Sequence, residues 1–169
     1  VIHDENPFVE GTGDREPSRR FRGRLPSPVT IVTSGDSEHP AGLTVSSLVV
    51  VDGQPATAML VVGPLTDLWD SIAATTRLVV HICDSSHAGL ADVFAGVRPS
   101  PGGIFAGTPF TQTDHGPVLG EMPDRLFCTM RSMIETAYSG VVTAEVDKVE
   151  LSNLTDPLIH FRGSYRRLG

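Results

Sequence analysis

Gly42-Leu43-Thr44-Val45-Ser46-Ser47, running into Leu48-Val49-Val50-Val51, is the stretch on which the fold reading turns. It is rich in β-branched residues, as strands are, yet its first half carries small hydroxyl side chains. Thr44, Ser46 and Ser47 offer donors and acceptors without bulk, and Gly42 lets another group approach the backbone closely. The pattern suits a flat polar ligand laid on a strand. It suits equally a barrel strand with a hydroxyl-lined outer face.

Working outward, Val29-Thr30-Ile31-Val32-Thr33 reads as the strand before it, and residues 34–40 as the intervening turn. The second strand is predicted to run unbroken over residues 41–51, to the hairpin signal Asp52-Gly53. Residues 56–62 form a third strand, closed by Gly63-Pro64. Thr66 then reads as a helix N-cap with Asp67 in the first turn, and Leu68, Trp69, Ile72 and Ala73 give that helix one apolar face. Residues 78–82 form a buried strand. Ser85 or Ser86 is expected to cap a second helix that ends at Gly96. Residues 97–123 are Gly- and Pro-rich and read as a long loop, which in a compact domain is functional or covers a subunit contact. Residues 126–134 and 140–151 read as two long strands, the second with an irregularity, and residues 158–161 as the last.

The chain has 169 residues, 40 % hydrophobic and 20 % charged, with Gly 17 and Pro 13. That composition gives one globular domain with many turns and short strands. Residues 1–24 read as a polar arm ending in a short arginine-bearing helix (Arg19, Arg20, Arg22, Arg24), and residues 25–169 as a single domain. A formal net charge of −7 repels nucleic acid and anionic membranes. An anionic cofactor then needs local donors. Cys83 and Cys128 each sit in an apolar run, as buried thiols of a reducing compartment do, so the cytoplasm is expected. No run of about 18 apolar residues occurs and no secretory leader is visible.

Phosphate-loop, dinucleotide-fingerprint, paired-cysteine and His-Glu-x-x-His motifs are absent, and nothing marks a nucleophile elbow. His81 and Cys83 share a strand face, but two residues do not make a metal site and no metal is assigned. Gly63-Pro64-Leu65-Thr66-Asp67-Leu68-Trp69 is more informative. A helix N-terminus presents unpaired N–H groups and partial positive charge, which bind phosphate. Thr66 would cap the helix or donate to that phosphate. Trp69, the single tryptophan, would pack in the core or lie beside an aromatic ligand.

These segments, in this order, resemble the flavin reductase-like proteins of the FMN-binding split barrel. The carrying pieces are Val29-Thr30-Ile31-Val32-Thr33, Gly42-Leu43-Thr44-Val45-Ser46-Ser47-Leu48, Leu78-Val79-Val80-His81, Leu90-Ala91-Asp92-Val93-Phe94-Ala95-Gly96, Gly116-Pro117-Val118-Leu119 and Pro157-Leu158-Ile159-His160-Phe161-Arg162-Gly163-Ser164-Tyr165. The resemblance implies a mainly β, antiparallel Greek-key split β-barrel with two or three short helices. It also implies a homodimer with FMN, or alternatively FAD, at or near the subunit interface. Leu43, Thr44, Val45, Ser46 and Ser47 would meet the isoalloxazine ring, largely through backbone groups. Gly63, Pro64, Thr66 and Leu68 would lie at the phosphate end, and Trp69 is a further cofactor-binding candidate, beside the aromatic ring.

The implied activity is hydride transfer from NAD(P)H to flavin, with reduced flavin supplied to a partner monooxygenase. Such an enzyme needs little acid–base apparatus, because the cofactor carries the chemistry. Two departures stand out. The family's phosphate loop carries Ser-Ser-Thr, where this chain has Thr66-Asp67-Leu68. The family's Gly-Asp-His falls on Met133-Ile134-Glu135, so Glu135 stands at the histidine position and no catalytic residue is assigned. A negative charge there, with Tyr138 close by, keeps two alternatives open: a flavin-binding protein without nicotinamide-dependent activity, or a split-barrel relative using another cofactor such as a deazaflavin or haem.

Overall fold

A computed structural model describes residues 17–136 and 138–168, so the first 16 residues of the arm expected over residues 1–24 lie outside the described residues. The elements are α1 (Pro17–Arg22), β1 (Ser27–Pro28), β2 (Thr30–Gly35), β3 (Pro40–Val45), β4 (Val49–Val51), β5 (Thr57–Val62), α2 (Asp67–Thr75), β6 (Arg77–Ile82), a 3-10 turn (Ser85–His87) running into α3 (Ala88–Phe94), β7 (Phe110–Thr113), β8 (Gly116–Leu119), β9 (Arg125–Glu135), β10 (Gly140–Glu150), β11 (Ile159–Phe161) and β12 (Ser164–Arg166).

Seven strands pair antiparallel in the order β3-β2-β6-β9-β10-β5-β4. The two edge strands, β3 and β4, are consecutive in the chain. Residues 46–48 carry the chain from one edge to the other, which wraps the sheet into a barrel split at that point. The unbroken strand expected over residues 41–51 is therefore corrected to two strands with a break. One run of sequence cannot follow both edges of a closing sheet without leaving the ladder between them.

Inside the barrel, Val32, Val45, Leu60, Val62, Leu78, Val80, Cys128, Val142 and Ala144 meet Leu68 and Ile72 of α2. The outer face of β2, and of β6 in part, is covered as well. Val29 and Ile31 pack with Ala91 and Phe94 of α3 and Leu119 of β8, while Val79 packs with Val118 and Phe127. With both faces covered, β2 is buried from Thr30 to Ser34 and β6 from Leu78 to His81 without alternation. On β5 the alternation is clean: Ala58, Leu60 and Val62 are buried, and Met59 and Val61 point outward and are exposed.

Three further expectations are corrected. The loop over residues 97–123 contains the β7–β8 hairpin. Its Pro-Val-Leu strand is too short to show a period, and β2, on which it packs, lies far away in sequence, joined through Thr33 Oγ1 donating to the Pro117 carbonyl at 2.5 Å. The cap of the second helical segment is Asp84, whose carboxylate accepts from the Ser86 N–H at 2.8 Å. Ser85 instead turns its hydroxyl to Asp156. The last expected strand is the first half of a β11–β12 hairpin. The irregularity expected in the second long strand is present as register shifts between Thr143 and Ala144 and between Val146 and Lys148. Among the described residues no helix is long and apolar enough to cross a membrane.

Candidate functional site

The break at residues 46–48 belongs to no ladder, so backbone donors and acceptors there are left without strand partners. Ser47 bridges the gap with its side chain: Oγ donates to the Val61 carbonyl (3.1 Å) and accepts from the Val61 N–H (3.0 Å). The hydroxyl thus does for β5 what a strand backbone would have done. Val61 lies two residues before Gly63, so this bridge joins the hydroxyl stretch to the turn that opens α2.

The rest of the hydroxyl stretch divides by strand parity. Leu43 and Val45 pack toward the barrel interior. Gly42 and Thr44 face α3: Thr44 Oγ1 donates to the Ala91 carbonyl at 2.7 Å, and a Cβ on Gly42 would stand 2.6 Å from the Phe94 ring. The close approach that Gly42 permits is therefore made by Phe94, with Phe105 behind it, and not by a ligand. Ser46 is exposed. Among the described residues, what remains open along this stretch is the backbone of residues 46–48 and the Ser46 hydroxyl.

At α2, Thr66 is the N-cap. Its Oγ1 accepts from the Trp69 N–H at 3.3 Å and donates to the Gly63 carbonyl at 2.8 Å. The hydroxyl is spent on capping, which leaves the N–H groups of Asp67 and Leu68 without intrahelical acceptors. Leu68 is buried in the barrel end, Leu65 stands 98 % exposed, and Asp67 and Asp70 put negative charge in the first turn. Trp69 packs against the barrel cluster, with its ring on the backbone of Gly140. Glu135 is exposed and is the direct cross-strand partner of Gly140, which on its other side pairs with Val62. Glu135 thus stands two strands, roughly 10 Å, from the strand that leads into α2.

His81 has no vacancy for a metal. Both ring nitrogens are engaged, with the Ile31 carbonyl at 3.0 Å and the Leu119 N–H at 3.1 Å. Burial pushes the Cys83 and Cys128 thiols up to about 12, so neither is a nucleophile. Two clefts lie elsewhere. One of about 530 Å³ runs between α2 and the β2–β3 turn, beside Asp36, Asp67 and Asp70. Another of about 520 Å³ lies beside the β7–β8 hairpin, with His115, Arg125 and Lys148. Neither contains residues 43–48 or 63–66; the candidate site is a separate shelf, with Ser46, Ser47 and Leu65 exposed at the surface.

The flavin reductase like domain model matches residues 22–169, nearly the whole chain. The chain belongs to the flavin reductase-like family. Among its relatives, the NADH-dependent FMN reductase AsuE2 of Streptomyces nodosus subsp. asukaensis is 28 % identical over 98 % of this chain and 90 % of its own length. The reductase component of a 4-nitrophenol 4-monooxygenase/4-nitrocatechol 2-monooxygenase from Rhodococcus opacus is 26 % identical over 90 % of this chain and 80 % of its own. A crystal structure of a flavin reductase domain protein from Arthrobacter sp. FB24 has the same fold. It superposes with a TM-score of 0.81 at 24 % identity, over 90 % of this chain and 94 % of that one.

Sequence reasoning missed three contributors to this region of the flavin reductase-like chain: Val61, whose backbone Ser47 grips; Ala91, whose carbonyl takes the Thr44 hydroxyl; and Gly140, under the Trp69 ring. None carries a functional side chain. Only the pairing of distant strands and helices reveals them.

Proposed function

We propose that this chain is an NAD(P)H-dependent flavin reductase, with FMN the first candidate flavin and FAD the alternative, supplying reduced flavin to a partner monooxygenase. Its relatives named as NADH-dependent FMN reductases and as monooxygenase reductase components support the reading. The observation that carries it is the Ser47–Val61 bridge, which sets a break of unladdered backbone beside a helix N-terminus with two free N–H groups. A flat ring with an anionic tail has matching chemistry: amide donors and acceptors for the ring edge and N–H groups for the phosphate.

When bound, the flavin supplies the hydride acceptor for reduced nicotinamide. The chain's part is to bind and orient. Backbone groups of Thr44, Val45, Ser46 and Ser47, with Leu43 behind them, would hold the ring edge, where donors favour the charge of the reduced form. The turn Gly63-Pro64 sets the angle of α2, Thr66 caps it, and the N–H groups of Asp67 and Leu68 would take the phosphate. No residue is asked to move a proton in the transfer itself, in keeping with a site that holds no evident acid–base dyad.

The shelf is open on one protomer, and a second copy would complete it. The homodimer is proposed to form through the outer face of β4, β5, β10 and β9, where Val49, Met59, Val61 and Ile134 are exposed. The free, buried thiols Cys83 and Cys128 suit the reducing cytoplasm.

The test is an anaerobic titration of the flavin-loaded protein with NADH and with NADPH. Bleaching of the flavin absorbance by at least one of them is expected. A second reading, a flavin-binding protein without nicotinamide-dependent activity, draws on the exposed Glu135 carboxylate, which disfavours an approaching dinucleotide phosphate. Flavin that binds but stays yellow under excess of both nucleotides selects that second reading.

A further inference from the structure

We infer that Gly140 is a positioning residue for the N-terminus of α2, acting through the ring of Trp69; the inference rests on the phosphate placement proposed above. A Cβ built on Gly140 would stand 2.0 Å from Trp69 Cζ3, 2.3 Å from Cη2 and 2.9 Å from Cε3. The backbone at Gly140 lies in a regular antiparallel ladder, paired with both Val62 and Glu135, so its conformation alone does not require glycine. The indole does. Among the glycines of the described residues, no other Cβ would meet an atom as closely.

Trp69 is the third residue of α2. The same residue that rests its ring on Gly140 gives its N–H to Thr66 Oγ1, at 3.3 Å. Ring and cap are coupled through a side chain with only two rotatable bonds. A methyl on Gly140 must push the ring back by about 1.5 Å to reach ordinary van der Waals contact. The displacement cannot be absorbed at the far end of the helix. Ser71 Oγ donates to Ser34 Oγ (3.0 Å), Ser34 Oγ meets Thr75 Oγ1 (3.0 Å), and Ser34 itself is fully buried in β2. With its C-terminal half tied to β2, α2 yields at its first turn. There the Thr66 cap opens and the free N–H groups of Asp67 and Leu68 lose their aim. Gly140 thereby governs how well the site holds a phosphate while leaving the ring shelf at residues 46–48 untouched.

The readout is the ratio of affinities for FMN and riboflavin, which differ by the phosphate alone, followed by flavin fluorescence in equilibrium titrations. Gly140→Ala should weaken FMN between about threefold and thirtyfold, the range of a helix-terminus interaction, and leave riboflavin within about twofold. Trp69→Leu releases the lock from the other side and should lower the same ratio. In the Trp69→Leu background, adding Gly140→Ala should change neither affinity. A general loss of structure would weaken both flavins together and show no such dependence on background. An FMN preference that survives Gly140→Ala, or an equal loss in both backgrounds, overturns the inference. Should Gly140→Ala fail to fold, an unchanged ratio in Trp69→Leu overturns it. Equal affinity of the unmodified protein for FMN and riboflavin would instead sink the phosphate placement, and the inference with it.

Discussion

Buried between β2 and β8, the His81 imidazole is fixed in one tautomer by its partners. A carbonyl only accepts and an amide N–H only donates, so Nδ1 carries the proton toward Ile31 and Nε2 receives the Leu119 N–H. Protonating Nε2 would break the second bond, and burial pushes the pKa down to about 4. In the unfolded chain the same ring titrates at about 6.5. Between these values the unfolded state holds more protons. Stability is therefore full above about pH 6.5 and is lost as pH falls toward 4. Urea denaturation should show a loss of about 2 kcal/mol between pH 7 and pH 5. His81→Gln should be less stable at pH 7 but nearly flat over that interval, and an equal fall in both proteins would exclude His81 as the cause. The strand carrying His81 was legible in the sequence, but Cys83, expected on the same strand face, lies one residue past the end of β6. The use of both nitrogens was not legible, because Leu119 lies 38 residues further along the chain.

At the scale of elements, α2 decides whether the site can hold an anion. Thr66 caps it as its sequence position indicates, and aspartate is as good a capping residue as threonine. Thr66→Asp should thus keep the helix, with a melting temperature within a few degrees of the unmodified protein, while placing a carboxylate where the phosphate is proposed to sit. FMN affinity should fall by about tenfold or more, since like charges meet in a partly desolvated turn, and riboflavin affinity should hold. Unchanged FMN binding in fluorescence titration would remove the phosphate from this helix. The helix itself was readable because Thr66, Asp67 and the Leu68, Ile72 spacing are local signals. The break in the strand over residues 41–51 was not readable, because Ser46 and Ser47 look the same in a continuous strand and in a barrel junction. What separates the two is the backbone of Val61, met only after the sheet closes. The β7–β8 hairpin was hidden likewise: its second strand holds Pro117 and is buried throughout, so neither propensity nor alternation announced it. Gly42 was read as an opening for a ligand, and the fold fills it with Phe94.

At the scale of the molecule, the described residues clothe the barrel on one side. α3, the β7–β8 hairpin and the chain end cover the outer faces of β2 and β6. Among the described residues, nothing covers the outer wall of β5, β10 and the end of β9 in this way. Val61, Val141 and Ile134 are direct cross-strand neighbours in one row on it. Val49 is 56 % exposed, Met59 39 %, Val61 43 % and Ile134 60 %. Contiguous apolar surface of this kind marks an interaction site. The hairpin tip with Tyr138, 95 % exposed, and the turn with Leu65 lie at the same end of the sheet, next to the proposed flavin shelf, so a copy seated on this wall would also wall in the cofactor. Sedimentation should therefore find a dimer at micromolar concentration. Val61→Glu combined with Ile134→Glu places two carboxylates at the centre of the row and should yield monomers. Both side chains point outward, so the monomer should keep its fold by circular dichroism, yet bind flavin at least several-fold more weakly. A flavin-binding monomer of unchanged affinity would show that the shelf is complete within one chain, and the dimer would then have no part in holding the cofactor.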